Sequence, residues 1–572
     1  MTKQKDGNSR NKKSGVSRRE FITGAMAGAV AGGILLAPKE VTANTVQAVS
    51  PYSAPGAMYP IKYGTDVVVV GAGGGGECAA VSAAQQGVRV ILLEVSQKTG
   101  GGQAYSGGIL HDAGLKTWND YLAYTEGLHD PVLGYTYVST FRSVFLQWLT
   151  SIGAYYTPGT GVGPLWSGDP TLGHGEPGYE GHRLYFNSLE KAFAGFGGGP
   201  ILLKTRGLKI LTDEYGDIAG VRACTWVNSP TEQNPSTFDI TAKAVILACG
   251  NFINNPELKM RYIGPYADKA FPMGVPYARG DGMLMAQELG ASLSGSMSTF
   301  SGIPVALTPL DNSVQTDPNM FEQASAASNP NGIDYGTKVS AGMYFAPGWI
   351  ALTGPLLGPS YGLMVNLQGK RFVDENSAED SKYPRLTQAI ITQRQGMAFM
   401  IADKVVHDLA PGSDVLLGMI TGAGGFAAQE NTLSALAADM AAAFPFYSGN
   451  FLTTISNYNA AIAAGTTAQL DPPRTVLPTS SDPKGGLYPI ATPPFYACAL
   501  TVAMYYNMGG LAINTSAEVL DMKKKPIPGL YATFPCAGGL MSTIYTGGNA
   551  SSSVFGYIAG QNAANFVKTG LT

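Results

Sequence analysis

Apolar and polar positions along this chain fall into a few contrasting patterns. The clearest is "TDVVVVGAGGGGECAAVSAAQQGVRVILLE", residues 65–94. Its unbroken β-branched run predicts a buried strand over Asp66–Val70. The glycines that follow predict a turn, the small residues after them a helix, and the next apolar run a second strand ending at Glu94. Later, "ENTLSALAADMAAAF" and "LTTISNYNAAIAAG" carry helical periodicity, with alanine stripes suited to packing. The lysine run Lys523–Lys525 predicts an exposed hairpin turn. Between Lys525 and Lys568 no residue is charged. Inside that stretch, "MSTIYTGGNASSSVFGYIAG" reads as a glycine-rich turn entering a helix, with Tyr545 at its lip.

Composition narrows the possibilities. A chain of 572 residues is too long for one simple core, so two or more domains are expected. Only 13% of residues are charged, where about 25% is usual. The net charge of −3 offers no basic field for nucleic acid and no polybasic membrane patch. The five cysteines (Cys78, Cys224, Cys249, Cys498, Cys536) are scattered, with no CxxC pair. Neither a thiolate-bound metal nor a c-type haem is suggested, and the set makes a poor disulfide framework.

The N-terminus reads as an address. "SRREFITGAMAGAVAGGILLAP" places Arg18 and Arg19 ahead of a Gly/Ala-diluted apolar run that ends near Pro38. The run falls short of the ~20 strongly apolar residues that span a bilayer. It predicts a twin-arginine export signal and linker over residues 1–48, handled by the twin-arginine translocase, with cleavage near Ala43 or Ala48. The expected location is the periplasm or otherwise outside the cytoplasm.

The glycine turn carries the first chemistry. Gly71 permits the tight turn, Gly73 lets backbone approach a pyrophosphate, and Gly76 lets helix pack on strand, with Gly75 beside them. The helix N-terminus offers N–H groups to phosphates. Glu94 stands at the spacing of an acid that binds the adenosine ribose. Together these predict a dinucleotide site.

Downstream landmarks resemble those of flavin enzymes in the fumarate reductase and 3-ketosteroid dehydrogenase group. They occur in order as "VSQKTGGGQAYSGGIL", "TRGLKILTDEYGDIAGVRA", "ITAKAVILACGNF", "ARGDGMLMAQELGASL", "GKRFVDEN", "MAFMIAD", "NMGGLAIN", "PIPGLYATFPCAGG" and "YTGGNASSSVFGYIAGQNAA". The resemblance implies an α/β fold: a Rossmann-like FAD-binding domain with an inserted α+β substrate-capping domain. It implies an FAD-binding part at 62–297, a cap at 298–492 and a closing FAD-binding part at 493–572. It also implies that Gly102, Gln103, Ser106, Gly107 and Gly108 wrap the flavin, that Asp281 is the acid of the GDG helix, and that Ala550 and Ser551 open the helix at the flavin's pyrimidine edge.

The substrate positions depart from those of fumarate reductases. Where that group has a clamping arginine, this chain has Tyr545; where it has a histidine pair, Tyr505 and Tyr506. The proton-donating arginine aligns with Tyr383, or by another count with Glu379, and Arg385 is close by. No arginine or histidine follows Arg474, so a dicarboxylate clamp cannot be built from the C-terminal segment. The pattern is closer in site character to 3-ketosteroid dehydrogenases. That similarity implies that Tyr545 hydrogen-bonds a ketone, that Tyr383 and Tyr506 help move a proton, and that flavin N5 exchanges a hydride. A phenol with a pKa near 10 is neutral at pH 7 and can donate to an oxygen as enolate character develops. Cys249 and Cys536 read as inert small residues, and His111 as a structural neighbour of the flavin loop.

The expectation is an exported FAD-dependent oxidoreductase acting on a CH–CH group beside a carbonyl, with a neutral, apolar, ketosteroid-like enone as substrate. Two alternatives stand: a periplasmic reductase of an unsaturated acid that uses Arg385, and an electron-transfer subunit. Either way the electrons pass through a separate quinone, cytochrome or mediator.

Overall fold

A computed structural model describes residues 60–105, 110, 117–154, 156–160, 163–166, 179–226, 236–272, 274–275, 277–307, 362–376, 383–409, 413–422, 424–476 and 484–570. The export-signal region, Ser106, Gly107, Gly108, His111 and Glu379 lie outside the described residues. So does the Tyr383 side chain.

The expected strand, turn, helix and strand are present as Val67–Val70, the Gly71–Gly73 turn, the glycine-turn helix Gly74–Gln85 and Val90–Leu93. Val67–Val70 lies at the middle of a six-stranded sheet. Its strands run in the order 518–520, 526–532, 244–247, 67–70, 90–93, 201–202. All pairs are parallel except the terminal hairpin. The four strand valines are 0–4% exposed, as continuous apolar strands covered on both faces should be.

One face is covered by helices and the other by a four-stranded sheet formed by 61–64, 236–241, 218–225 and 205–212. The two sheets touch closely: a Cβ on Gly207 would stand 2.7 Å from Val70 Cγ1. The C-terminal helix, Gly548–Thr569, packs on the glycine-turn helix at backbone distance. A Cβ on Gly556 would stand 2.1 Å from the Gly75 carbonyl oxygen, and one on Gly560 2.3 Å from that of Ala79. Gly75 in turn faces Ser552 and Thr533, so its missing side chain serves this helix contact. Residues 549–560 of the C-terminal helix are all buried, and strand 526–532 is interior at its C-terminal end. Burial therefore accounts for the long uncharged stretch.

A second sheet is organised on one thirteen-residue strand, Phe495–Asn507. Strands 300–306, 398–403 and 427–430 pair with it antiparallel, 271–272 pairs parallel, and 363–365 pairs with 398–403. The two alanine-rich segments form helices Leu433–Ala443 and Ser448–Ala464. They bury Leu436, Met440, Phe451, Ile455 and Tyr458 against Leu363, Val365, Phe399 and Ile401. Beneath them Arg371 pairs with fully buried Glu375 at 2.7 Å. The Lys523–Lys525 run is an exposed turn, held by the Asp521 carboxylate accepting N–H bonds from Lys523 and Lys525 at 2.7 and 2.9 Å.

Candidate active site

The central strand delivers the chain into Gly71 at φ +104°, where a Cβ would stand 2.5 Å from the Ala248 carbonyl oxygen. A Cβ on Gly76 would stand 1.8 Å from the Gly71 carbonyl oxygen. These two positions admit no side chain. The second glycine loop lies alongside the first: Gly100 N–H donates to the Ala72 carbonyl at 2.7 Å, and Gly73 and Gly100 form a parallel bridge. Gly102 is open, with nothing near its missing side chain.

Glu94 is buried at the end of its strand. Its two carboxylate oxygens accept N–H bonds from Ala72 and Ser96, each at 2.8 Å, tying the strand end to the glycine turn. Gln103 Nε2 donates to the Asn549 carbonyl at 3.3 Å, linking the second loop to the start of the C-terminal helix. Neither helix is capped by the side chain of its own N-cap, since both N-caps are glycines, Gly73 and Gly547. Their first-turn amides, with the positive ends of the helix dipoles, face one region. Ala550 and Ser551 are fully buried in the first turn of the C-terminal helix, and the Ser551 hydroxyl donates to the Gly547 carbonyl at 2.8 Å.

Tyr545 is half-buried, and its hydroxyl oxygen accepts the Gly548 N–H at 3.1 Å. The phenol therefore caps the C-terminal helix from outside it, and its own O–H is turned away from that amide. The Tyr506 ring lies beside it, with centroids 6.4 Å apart. Gly548 makes room, because a Cβ there would stand 2.8 Å from the Tyr506 hydroxyl. Burial pushes the Tyr545 phenol above its ordinary value, while the Gly548 N–H and the Tyr506 hydroxyl pull the other way. Burial also raises Tyr505, with Tyr545 adding to it. Tyr505 and Tyr545 thus stay protonated at neutral pH.

Tyr505 and Tyr506 end the long strand of the second sheet, opposite Ser301, while Tyr545 belongs to the turn after the first sheet. Asn251, just past strand 244–247, joins the two: its Nδ2 donates to the Tyr505 carbonyl at 3.3 Å. Sequence reasoning passed over Asn251, although it lies within the quoted "ITAKAVILACGNF". Tyr383 opens helix Tyr383–Ile391, which packs on strand 300–306. Arg385 on that helix is ion-paired with Glu126 at 2.6 Å.

Asp281 opens the short helix Asp281–Gln287, where both its oxygens are held by Arg206, at 2.8 and 2.7 Å. That partner was missed from sequence because it stands in the four-stranded sheet, 75 positions away. Behind this helix, burial raises the Cys536 thiol to about 12 and Cys249 well above its ordinary range, so neither is a ready nucleophile.

The sequence profile of the family described as FAD binding domain matches residues 66–555. The chain belongs to that family. It is similar to a fumarate reductase (cytochrome) from Shewanella frigidimarina, 26% identical over 88% of this chain and 77% of the relative. It is also similar to a vinyl phenol reductase from Lactiplantibacillus plantarum, 27% identical over 88% of this chain and 96% of the relative. In fold it resembles a 3-ketosteroid delta1-dehydrogenase from Sterolibacterium denitrificans, with a TM-score of 0.64 at 18% identity, covering 88% of this chain and all of that one.

The flavoprotein is an FAD-dependent oxidoreductase acting on C=C or CH–CH groups, with the mixed α/β architecture expected. Its residues fit the cofactor. Two glycine loops leave a cradle, a carboxylate stands at the strand end, and the Ser542 and Thr543 hydroxyls are buried without a hydrogen-bond partner among the described residues.

Two outcomes follow from this geometry. Glu94→Ala removes two charge-assisted bonds worth about 1.5–3 kcal/mol each to the folded turn. FAD affinity, measured by titrating apoprotein, should fall roughly ten- to hundredfold; unchanged affinity would show that the carboxylate is dispensable. The second concerns His129, whose Nδ1 lies 2.8 Å from the Tyr121 hydroxyl, and whose pKa burial pushes down from 6.5 to about 4. Between those values the unfolded chain takes the proton. Stability is therefore full above about pH 6.5 and is lost as pH falls through about 4, by up to about 3 kcal/mol. Thermal melts of His129→Asn should show a shallower acid limb than wild type over that window.

Proposed function

We propose that this flavoprotein reduces or oxidises a carbon–carbon bond conjugated to a carbonyl or phenolic oxygen in a neutral, largely apolar molecule, a ketosteroid-like enone being the leading example. The observation that carries this reading is the meeting of Tyr505, Tyr506 and Tyr545 at the seam of the two sheets. The vinyl phenol reductase supports it, because that relative's named substrate carries no carboxylate. Arg385, the candidate for an acid substrate, is already paired with Glu126.

Bound FAD supplies hydride and electron transfer. The chain's part is to hold it, with Gly71, Gly73 and Gly76 at the first turn, Gly102, Gln103, Ser106, Gly107 and Gly108 in the second loop, and Glu94 toward the adenosine ribose. Asp281, fixed by Arg206, and the start of the C-terminal helix at Ala550 and Ser551, where the Ser551 N–H is bonded to the Gly547 carbonyl at 3.0 Å, complete the set. Tyr545 donates its O–H to the substrate oxygen, strengthening that bond as negative charge develops there. Its own oxygen meanwhile receives the Gly548 N–H, so charge passed to the phenol is met by a helix N-terminus. Tyr506 supports that hydroxyl, and Tyr383, from the helix over the seam, exchanges the proton at the carbon next to the carbonyl.

We further propose that residues 298–492 form the cap, with strand 495–507 and strand 271–272 as the seam where it meets the two FAD-binding parts. Electrons come from or go to a separate quinone, cytochrome or mediator. Arg18 and Arg19 direct export. Among the described residues no helix is long and apolar enough to cross a membrane.

Anaerobic flavin bleaching and reoxidation against ketosteroids, vinyl phenols, aryl acrylates and dicarboxylates tests the substrate class. A neutral compound should respond; a response to carboxylates alone would move the Arg385 reading ahead. Tyr545→Phe should lower turnover of the responding compound about 10²–10³-fold, equivalent to ~2.7–4 kcal/mol, with FAD content unchanged. Near-full turnover would reduce Tyr545 to packing. For export, changing Arg18 and Arg19 together to lysine should leave flavin-loaded protein in the cytoplasm, and undiminished periplasmic protein would refute the address.

A further inference from the structure

We propose that Tyr124 is a positioning residue for Tyr545: its hydroxyl holds the Tyr545 carbonyl and so fixes where the phenol is presented. The inference rests on the donor role given to Tyr545 above.

The turn from Gly539 to Gly547 belongs to no helix or strand, so its carbonyls have no ladder to satisfy them. A single helical hairpin supplies much of the substitute. Asp130 N–H donates to the Gly539 carbonyl at 3.0 Å, Tyr121 to Leu540 at 3.4 Å, Tyr124 to Tyr545 at 3.1 Å, and Tyr137 to Thr546 at 3.5 Å. From a different element, Thr299 donates to Ser542 at 2.8 Å. Tyr121 and Tyr124 are three apart on helix Trp118–Tyr124 and so share a face. The hairpin is rigid in its own right. Thr117 and Asp120 form a capping box, and Asp130 caps helix Pro131–Thr140 through N–H bonds at 2.9 and 3.0 Å.

Among the three tyrosine bonds, that of Tyr124 is the shortest, and it falls on the residue that carries the chemistry. Tyr545 is then held at both ends, its carbonyl by Tyr124 and its hydroxyl by Gly548. With the Tyr124 bond removed, the peptide after Tyr545 is held less firmly and the phenol it carries is less fixed in place. Tyr121 and Tyr137 are 1% and 2% exposed, so loss of their hydroxyls would disturb packing. Tyr124 is half-buried, which makes Tyr124→Phe the cleaner variant.

The test uses the FAD-loaded full chain as wild type, Tyr124→Phe, Tyr545→Phe and the double variant. Amide hydrogen exchange of the peptide 541–550 reads presentation without any substrate. Reoxidation of the dithionite-reduced enzyme by 4-androstene-3,17-dione, the probe enone, reads chemistry. In Tyr124→Phe, exchange of that peptide should be about five- to tenfold faster, the effect of one hydrogen bond, with FAD content and melting temperature as in wild type. The saturating reoxidation rate should drop about tenfold with KM changed less than about twofold, the misplacement of a positioned group. Adding Tyr124→Phe to Tyr545→Phe should cost nothing more. Unchanged exchange in Tyr124→Phe overturns the proposal, as does an equal additional rate loss in the Tyr545→Phe background. If Tyr545→Phe itself reoxidises at the wild-type rate, the donor role of Tyr545 fails, and the exchange measurement still decides whether Tyr124 orders the turn.

Discussion

Two helices in this molecule touch backbone to backbone, and the site is arranged by that contact. Gly75 and Ala79 on one meet Gly556 and Gly560 on the other, in the same order along both, so the helices run parallel. Parallel dipoles repel, and the close approach holds only because side chains are absent at the crossing and apolar surface is buried around it. In return, both positive ends open on the same edge of the sheet, with Gln103 spanning from one loop to the other helix. Anionic and electron-rich groups are favoured at such an edge without any cationic side chain.

That economy suits the tyrosines. A lysine or arginine at the Tyr545 position would need a counter-ion or water in a half-buried seam, at a desolvation cost that a neutral phenol escapes. The flavoprotein instead keeps its charges in pairs: Arg206 with Asp281, Arg371 with Glu375, Arg385 with Glu126. What remains between the two sheets is a set of neutral donors whose strength is set by backbone amides.

The βαβ start, Glu94 at the strand end and the C-terminal helix were legible in the sequence because each is a local pattern with its own physical signature. The role of Gly75 was not, because a glycine that admits a distant helix looks like one that admits a phosphate. Arg206 and Asn251 carry no motif of their own, and only the fold brings them to Asp281 and Tyr505. The uncharged stretch after Lys525 is visible in the sequence, but its cause is not: residues 549–560 are all buried, which only the packing of the C-terminal helix reveals. Tyr124 left no trace in the sequence, since a side chain that binds a carbonyl obeys no spacing rule.

The parallel helix pair also sets the order in which the chain can fold. The Ser82 hydroxyl donates to the Tyr557 carbonyl across 475 positions, and the face of the glycine-turn helix around it has no cover until the last residues exist. The usual sequence of events, in which N-terminal units fold during synthesis, is closed to this topology. The glycine-turn helix gains this cover only when helix Gly548–Thr569 is in place. Contacts so remote in sequence make assembly slow, and the two glycines that admit this one, Gly556 and Gly560, stand 481 positions from Gly75 and Ala79.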